Sequence, residues 1–109
     1  MSSNKTETHR SVLADILQAR IDTTYVSLKT VQDLLSEVKR GVDLYGVYTS
    51  NAEARLVIER ESQELWDEIE TGDIDEQKIY NEALQVAATA LRYAEEVRWR
   101  IDGRQDGSK

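Results

Sequence analysis

"SNAEARLVIERESQELWDEIE", residues 50–70, decides the fold. Ser50-Asn51-Ala52-Glu53 is a capping box, in which the hydroxyl and the carboxylate satisfy orphan amides of a first helical turn. The helix it opens, from near Ala52 to about Glu70, has Ile58, Leu65 and Ile69 to bury on one face. Beside that face Val57, Glu61, Glu64 and Glu68 follow one another down a single ridge at steps of three and four. Stacked carboxylates repel, and partial burial raises the cost unless a cation neutralises them.

The helical period extends in both directions. Downstream, Thr71-Gly72 is a stop, with Gly72 suited to the left-handed position after the last turn. Asp73-x-x-Glu76 repeats the capping box and predicts a helix from about 74 to 101 through Ile79, Ala83, Val86, Ala87, Ala90, Leu91, Ala94 and Val97. Its small residues permit close helix approach. The ridge Asp75, Lys78, Glu82, Gln85, Thr89, Arg92 again sets polar groups beside the apolar face.

Upstream, Leu17, Ile21, Leu28, Val31, Leu35, Val38, Val42 and Tyr45 recur at alternating steps of three and four, with Thr24 filling one slot. This seam predicts one long helix over about 11–44, ended by Gly46. A second stripe through Val12, Ile16, Val26 and Leu34 widens its apolar face beyond what two shorter helices cover. The expected architecture is therefore all-α: a long helix and a helical hairpin that complete a four-helix-type bundle as a homo-dimer or homo-tetramer. Residues 1–9 and 103–109 read as polar tails, and the lone His9 in the first reads as inert.

Composition narrows the class further. The 109 residues suit one domain with a modest core, and the absence of Pro together with only five Gly agrees with helix throughout. With no Cys, neither a disulfide nor a thiolate zinc site is available. Apolar runs fall far short of the roughly 20 residues of a membrane span, and no signal segment opens the chain, so no membrane partner and a cytoplasmic location are expected. The net charge of −7 argues against nucleic acid, whose phosphates need basic surface. Residues 53–76 hold ten Asp and Glu against Arg55 and Arg60 and so carry the whole surplus.

Two readings of that acid stand side by side. Glu is an excellent helix former, and solvated surface charge explains much of the segment. Alternatively, an antiparallel hairpin brings Glu61 and Glu64 opposite Glu82, and a hard divalent ion such as Mg²⁺ fills the gap with carboxylate oxygens as ligands. Spacing alone leaves both open.

"ERESQELWDEIE" (59–70) followed by "IYNEALQVAATALRYAEE" (79–96) resembles the MazG-like branch, in its viral form, of the all-α nucleoside triphosphate pyrophosphohydrolases. That superfamily also holds the dimeric dUTPases and phosphoribosyl-ATP pyrophosphohydrolase. Its signature is Glu-x-x-Glu, a gap, then Glu-x-x-Asp. Here Glu61-x-x-Glu64 fits the first half and Glu82-x-x-Gln85 stands at the second, with the similarity running over about residues 42–97. Gln85 departs from the usual Asp, which implies fewer metals, recruitment of Glu68, or a water held by Gln85.

The resemblance implies hydrolysis of a nucleoside triphosphate, a deoxynucleotide above all, to the monophosphate and pyrophosphate, with Mg²⁺ or Mn²⁺ as cofactor. It implies Glu61, Glu64, Glu82 and Gln85 as the metal set, with Glu61 or Glu68 accepting the proton of the attacking water. Lys78, Arg92 and Arg60 are candidates for phosphate oxygens, against ordinary surface cations as the alternative. Tyr45, Tyr48 and Trp66 are candidates for a base pocket, against core packing for Trp66. Trp99 reads as an interface or helix-end anchor. The rival functions are a helical adaptor whose acid serves solubility, and a degenerate relative that binds nucleotide without cleaving it.

Overall fold

The computed structural model describes residues 2–71 and 75–107, with side chains over 11–71 and 75–104. The described residues form four helices and no strand: α1 (Ser2–Asp22), α2 (Leu28–Tyr45), α3 (Asn51–Glu70) and α4 (Glu76–Gly107). The all-α expectation holds. The predicted Asp73 cap and Gly72 stop lie outside the described residues, as does the side chain of His9. Helix extends through residues 2–10 and on to Gly107, so both segments read as tails carry helical backbone.

The single helix expected over 11–44 is broken between Asp22 and Leu28. Thr23 and Thr24 turn their hydroxyls back onto the Arg20 and Ile21 carbonyls, at 2.7 and 2.8 Å, and so satisfy the end of α1. Tyr25 takes φ 61°, a left-handed conformation uncommon outside Gly, and is fully exposed. Ser27 then caps α2, its Oγ accepting the Thr30 amide at 3.1 Å. The apolar seam runs straight through this break. Hydroxyls that compete for backbone hydrogen bonds overrode it.

The chain falls into two compact units, Met1–Gln32 and Asp33–Lys109. The first contains α1 and the start of α2, and Val12, Leu13, Ile16 and Leu17 on α1 are all about half exposed. The second contains the rest of α2 with α3 and α4.

Within the second unit α3 and α4 form the close pair and run antiparallel. Lys78 near the start of α4 meets Glu68 near the end of α3 at 3.3 Å, while Tyr93 and Arg100 both donate to Asn51 at the start of α3, at 2.7 and 2.8 Å. Ala54 and Ala88 are buried. Ser50 begins α3 as expected, its Oγ accepting the Glu53 amide at 3.1 Å, but the Glu53 carboxylate turns to the Thr49 hydroxyl, so half of the capping box is realised. Thr71 closes α3 in extended conformation. Asp75 caps α4 through the Lys78 amide.

Over Asp33–Tyr45, α2 runs alongside α4 in the same direction. Tyr80 donates to Asp33 at 2.6 Å, and Arg92 reaches the Gly46 carbonyl at 2.8 Å. Gly46 ends α2 with φ 67°, its amide bonded to the Val42 carbonyl, a left-handed C-terminal cap.

α4 presents the opposite ridge to the one its apolar pattern predicts. Leu84, Ala88, Thr89, Arg92 and Glu96 are buried, whereas Ala83, Ala87, Ala90, Leu91 and Ala94 are exposed. On α2, Leu35 and Val42 of the predicted seam are likewise open. The polar ridge faces inward and the small-residue stripe outward.

Candidate metal centre

Three carboxylates from the two antiparallel helices converge. Glu61 and Glu64 of α3 and Glu82 of α4 each place one oxygen within 4.8 Å of the others. Helical spacing explains the arrangement: residues 61 and 64 share a face of α3, and the hairpin register sets Glu82 across from them. Glu61 Oε2 and Glu82 Oε2 are buried without a hydrogen-bond partner.

Such an arrangement is electrostatically unfavourable for a chain with no cation present. Burial pushes the Glu61 carboxyl above the usual carboxylate range, helped by the charge of Glu64, by carboxyl–carboxyl contact with Glu64 and by Glu82, while Arg60 pulls the other way. Burial likewise raises the Glu82 carboxyl, helped by Glu64 and Glu68 and opposed by Lys78. Orphaned buried oxygens on two helices, all acidic and all acceptors, match the donor set of a hard divalent ion.

A cavity of about 380 Å³ adjoins the cluster, with Glu61 in its wall. This volume suits a small-molecule ligand. α2 contributes Glu37, Arg40, Gly41 and Tyr45, α3 contributes Arg60 and Glu61, and α4 contributes Gln85, Thr89 and Arg92. The α4 wall runs from the neutral amide of Gln85 through Ala88 and Thr89 to the guanidinium of Arg92, seven residues and about 10 Å of helix rise further on.

The structure sorts the remaining site residues. Glu68 is not in the three-carboxylate cluster and is paired with Lys78 at 3.3 Å, so each occupies the other. Gln85 lines the cavity one turn along from Glu82. Arg60 lines it next to Glu61.

Arg92 is no surface cation. It is 6% exposed, donates from Nη2 to the Gly46 carbonyl, and lies 4.8 Å over the Tyr48 ring. Its guanidinium clamps the C-terminal end of α2, where backbone carbonyls concentrate negative potential.

Of the three aromatic residues, Tyr45 lines the cavity and is 72% exposed, with a ring open to a ligand. Tyr48 also lines it but is buried. Its amide donates to the Glu96 carboxylate, its hydroxyl to the Thr89 carbonyl at 3.3 Å, and its ring is committed to Arg92 and edge-on to Tyr93. Trp66 belongs neither to this cavity nor to the core: it is 57% exposed in a shallow depression with Leu56, Ile58 and Gln63. It falls on a different side of α3 from Glu61, because five positions rotate a helix well past one face. Trp99 is exposed beside Val47 and Arg100.

Arg40 was not singled out in the sequence. It bonds Glu37 through Nε and Nη2, at 3.2 and 2.9 Å, within the cavity wall. A Glu-x-x-Arg pair is too common on helices to mark a site, and only the placement of α2 across from Glu61 makes it one. No family model matches the chain, and no curated protein or solved structure matches it either.

Proposed function

We propose that this chain is a divalent-metal-dependent nucleoside triphosphate pyrophosphohydrolase of the MazG-like kind, cleaving a nucleotide to its monophosphate and pyrophosphate. The observation that carries this reading is the meeting of Glu61, Glu64 and Glu82 from two helices, with buried unpartnered oxygens on Glu61 and Glu82 and with Glu61 in the wall of an arginine-lined cavity. Solvated surface charge does not bury its oxygens. Among the described residues no helix is long and apolar enough to cross a bilayer.

Glu61, Glu64 and Glu82 would hold Mg²⁺, with Mn²⁺ as a substitute. Such an ion supplies charge neutralisation for phosphate oxygens and activation of water. Glu61 serves both cluster and cavity, and burial together with Glu64 raises its proton affinity, the direction a proton acceptor requires. Arg60 beside it supplies positive charge for phosphate oxygens. Tyr45 offers the open aromatic face for a nucleobase, and Trp66 has no part in this site.

Exposed apolar surface on α2 and α4 favours assembly as the second component of the proposal. Leu35, Val42 and Leu91 are uncovered in the single chain, and a second copy would bury them. The same surface is what an adaptor would use. A thermal melt with and without Mg²⁺ separates the two, because only a metal-binding fold gains stability from the ion.

The direct test is pyrophosphate release from each common dNTP and NTP by wild type, Glu64→Gln and Glu82→Gln. Loss of turnover in both variants, with the helical fold intact, is the expected result. Turnover that survives both substitutions overturns the assignment, and no turnover in wild type alongside retained nucleotide binding identifies a non-cleaving binder.

A further inference from the structure

We propose that Glu37 and Arg40 on α2 form an exchangeable latch: Arg40 takes a phosphate oxygen of a polyphosphate in the cavity, and Glu37 is the internal anion it leaves to do so. The proposal rests on the polyphosphate reading of the adjoining acid cluster, and it assigns a ligand contact to a helix that contributes no carboxylate to that cluster.

Both side chains line the same cavity as Glu61. Arg40 brings Nε and Nη2 to one oxygen, Glu37 Oε2, so two of its donors share a single acceptor atom. A guanidinium has five donors in a planar fork, and a phosphate group offers several oxygens to match. The pair is part-exposed, Arg40 at 51% and Glu37 at 27% of their side chains. An ion pair so placed is weak, so a more highly charged anion displaces the carboxylate readily.

Of the other arginines in the wall, Arg92 is less able to follow a ligand. Arg92 is buried and committed to the Gly46 carbonyl and the Tyr48 ring. Arg60 also lines the cavity, next to Glu61, and is exposed. Arg40 instead projects from a backbone held firmly at the next residue, where Gly41 lies against the Arg92 side chain. The hydrogen bond to Glu37 and its charge raise the proton affinity of Arg40, burial opposes them, and Tyr45 and then Glu61 add the smallest contributions. Arg40 thus shares the cavity wall with two acidic residues, Glu37, to which it is bonded, and Glu61 of the proposed metal set.

The discriminating measurement is calorimetric titration of inorganic tripolyphosphate, with Mg²⁺ at low ionic strength, into wild type, Arg40→Gln, Glu37→Gln and the double variant. Removal of one phosphate-pairing guanidinium is expected to weaken binding about 10-fold. Glu37→Gln is expected to tighten it about 3-fold, since the competing carboxylate is gone. In the double variant the gain from Glu37→Gln disappears, because there is no Arg40 to release. Arg40→Lys, which keeps the charge and loses the fork, falls between wild type and Arg40→Gln and guards against a folding artefact.

Wild-type affinity in Arg40→Gln overturns the latch, as does tightening by Glu37→Gln that persists without Arg40. If wild type binds and Glu64→Gln abolishes binding while the α2 variants change nothing, the latch alone fails. If wild type binds no tripolyphosphate, the polyphosphate reading of the whole site fails with it.

Discussion

Gly41 of α2 and Arg92 of α4 are fitted so closely that a Cβ on Gly41 would lie 2.8 Å from Arg92 Nη1 and 3.1 Å from its Cδ. The guanidinium cannot easily yield, being bonded to Gly46 on one side and stacked on Tyr48 on another. Gly41→Ala is therefore expected to destabilise the protein by about 1–2 kcal/mol, overpacking outweighing the gain in helix propensity. Gly103→Ala, where a Cβ meets nothing within 4 Å, is expected to stabilise it by about 0.5–1 kcal/mol. Urea unfolding of the two variants measures both, and equal shifts would show that the Gly41–Arg92 contact is not tight in solution.

Glu82→Gln should make the metal-free protein more stable. It removes a half-buried negative charge that faces Glu64 and has one buried, unpartnered oxygen, and because solvent screens part of the repulsion the expected rise in Tm is no more than roughly 4 °C. The same variant should lose the rise in Tm that Mg²⁺ gives wild type. A calorimetric scan in which Glu82→Gln melts lower than wild type without metal would contradict the repulsion argument.

Stability should fall with rising pH in the absence of metal. The Glu61 and Glu82 carboxyls are held above the usual range in the folded chain, chiefly by burial and then by Glu64. Between the unfolded carboxylate value of about 4.3 and the raised folded values, the native state therefore holds protons that the unfolded chain has released. The slope is negative in that window, and the full cost is present above it. Wild type is expected to lose more stability from about pH 4 to pH 7.5 than the Glu61→Gln, Glu82→Gln double variant does. With saturating Mg²⁺ the difference reverses, because the ligands must be deprotonated to bind. Melting curves at the two pH values, with and without the ion, check both signs.

The open seam should be covered by a second copy. Equilibrium sedimentation of the 12.5 kDa chain is expected to give a dimer or larger at micromolar concentration, and Leu35→Glu with Val42→Glu to shift it toward monomer. A monomeric wild type would show that the exposed apolar surface has another purpose.

Much of the fold follows from local chemistry that can be read along the chain. The absence of Pro, the three- and four-residue apolar steps, Ser50 as a cap and Gly46 as a stop determined helices close to where they stand. The facing of Glu61 and Glu64 toward Glu82 was also legible, because a short antiparallel hairpin allows little choice of register. The break at residues 23–27 had its signal in Thr23, Thr24 and Ser27, but a continuous apolar seam spoke more strongly than three hydroxyls. Periodicity names the faces of a helix without saying which one a neighbour will cover. Tertiary structure alone turned the polar ridge of α4 inward, made Arg92 a clamp through a carbonyl 46 residues away, left Trp66 outside, and brought Arg40 to the cavity wall. Those outcomes depend on contacts between segments far apart in sequence, whose energies no single helix contains.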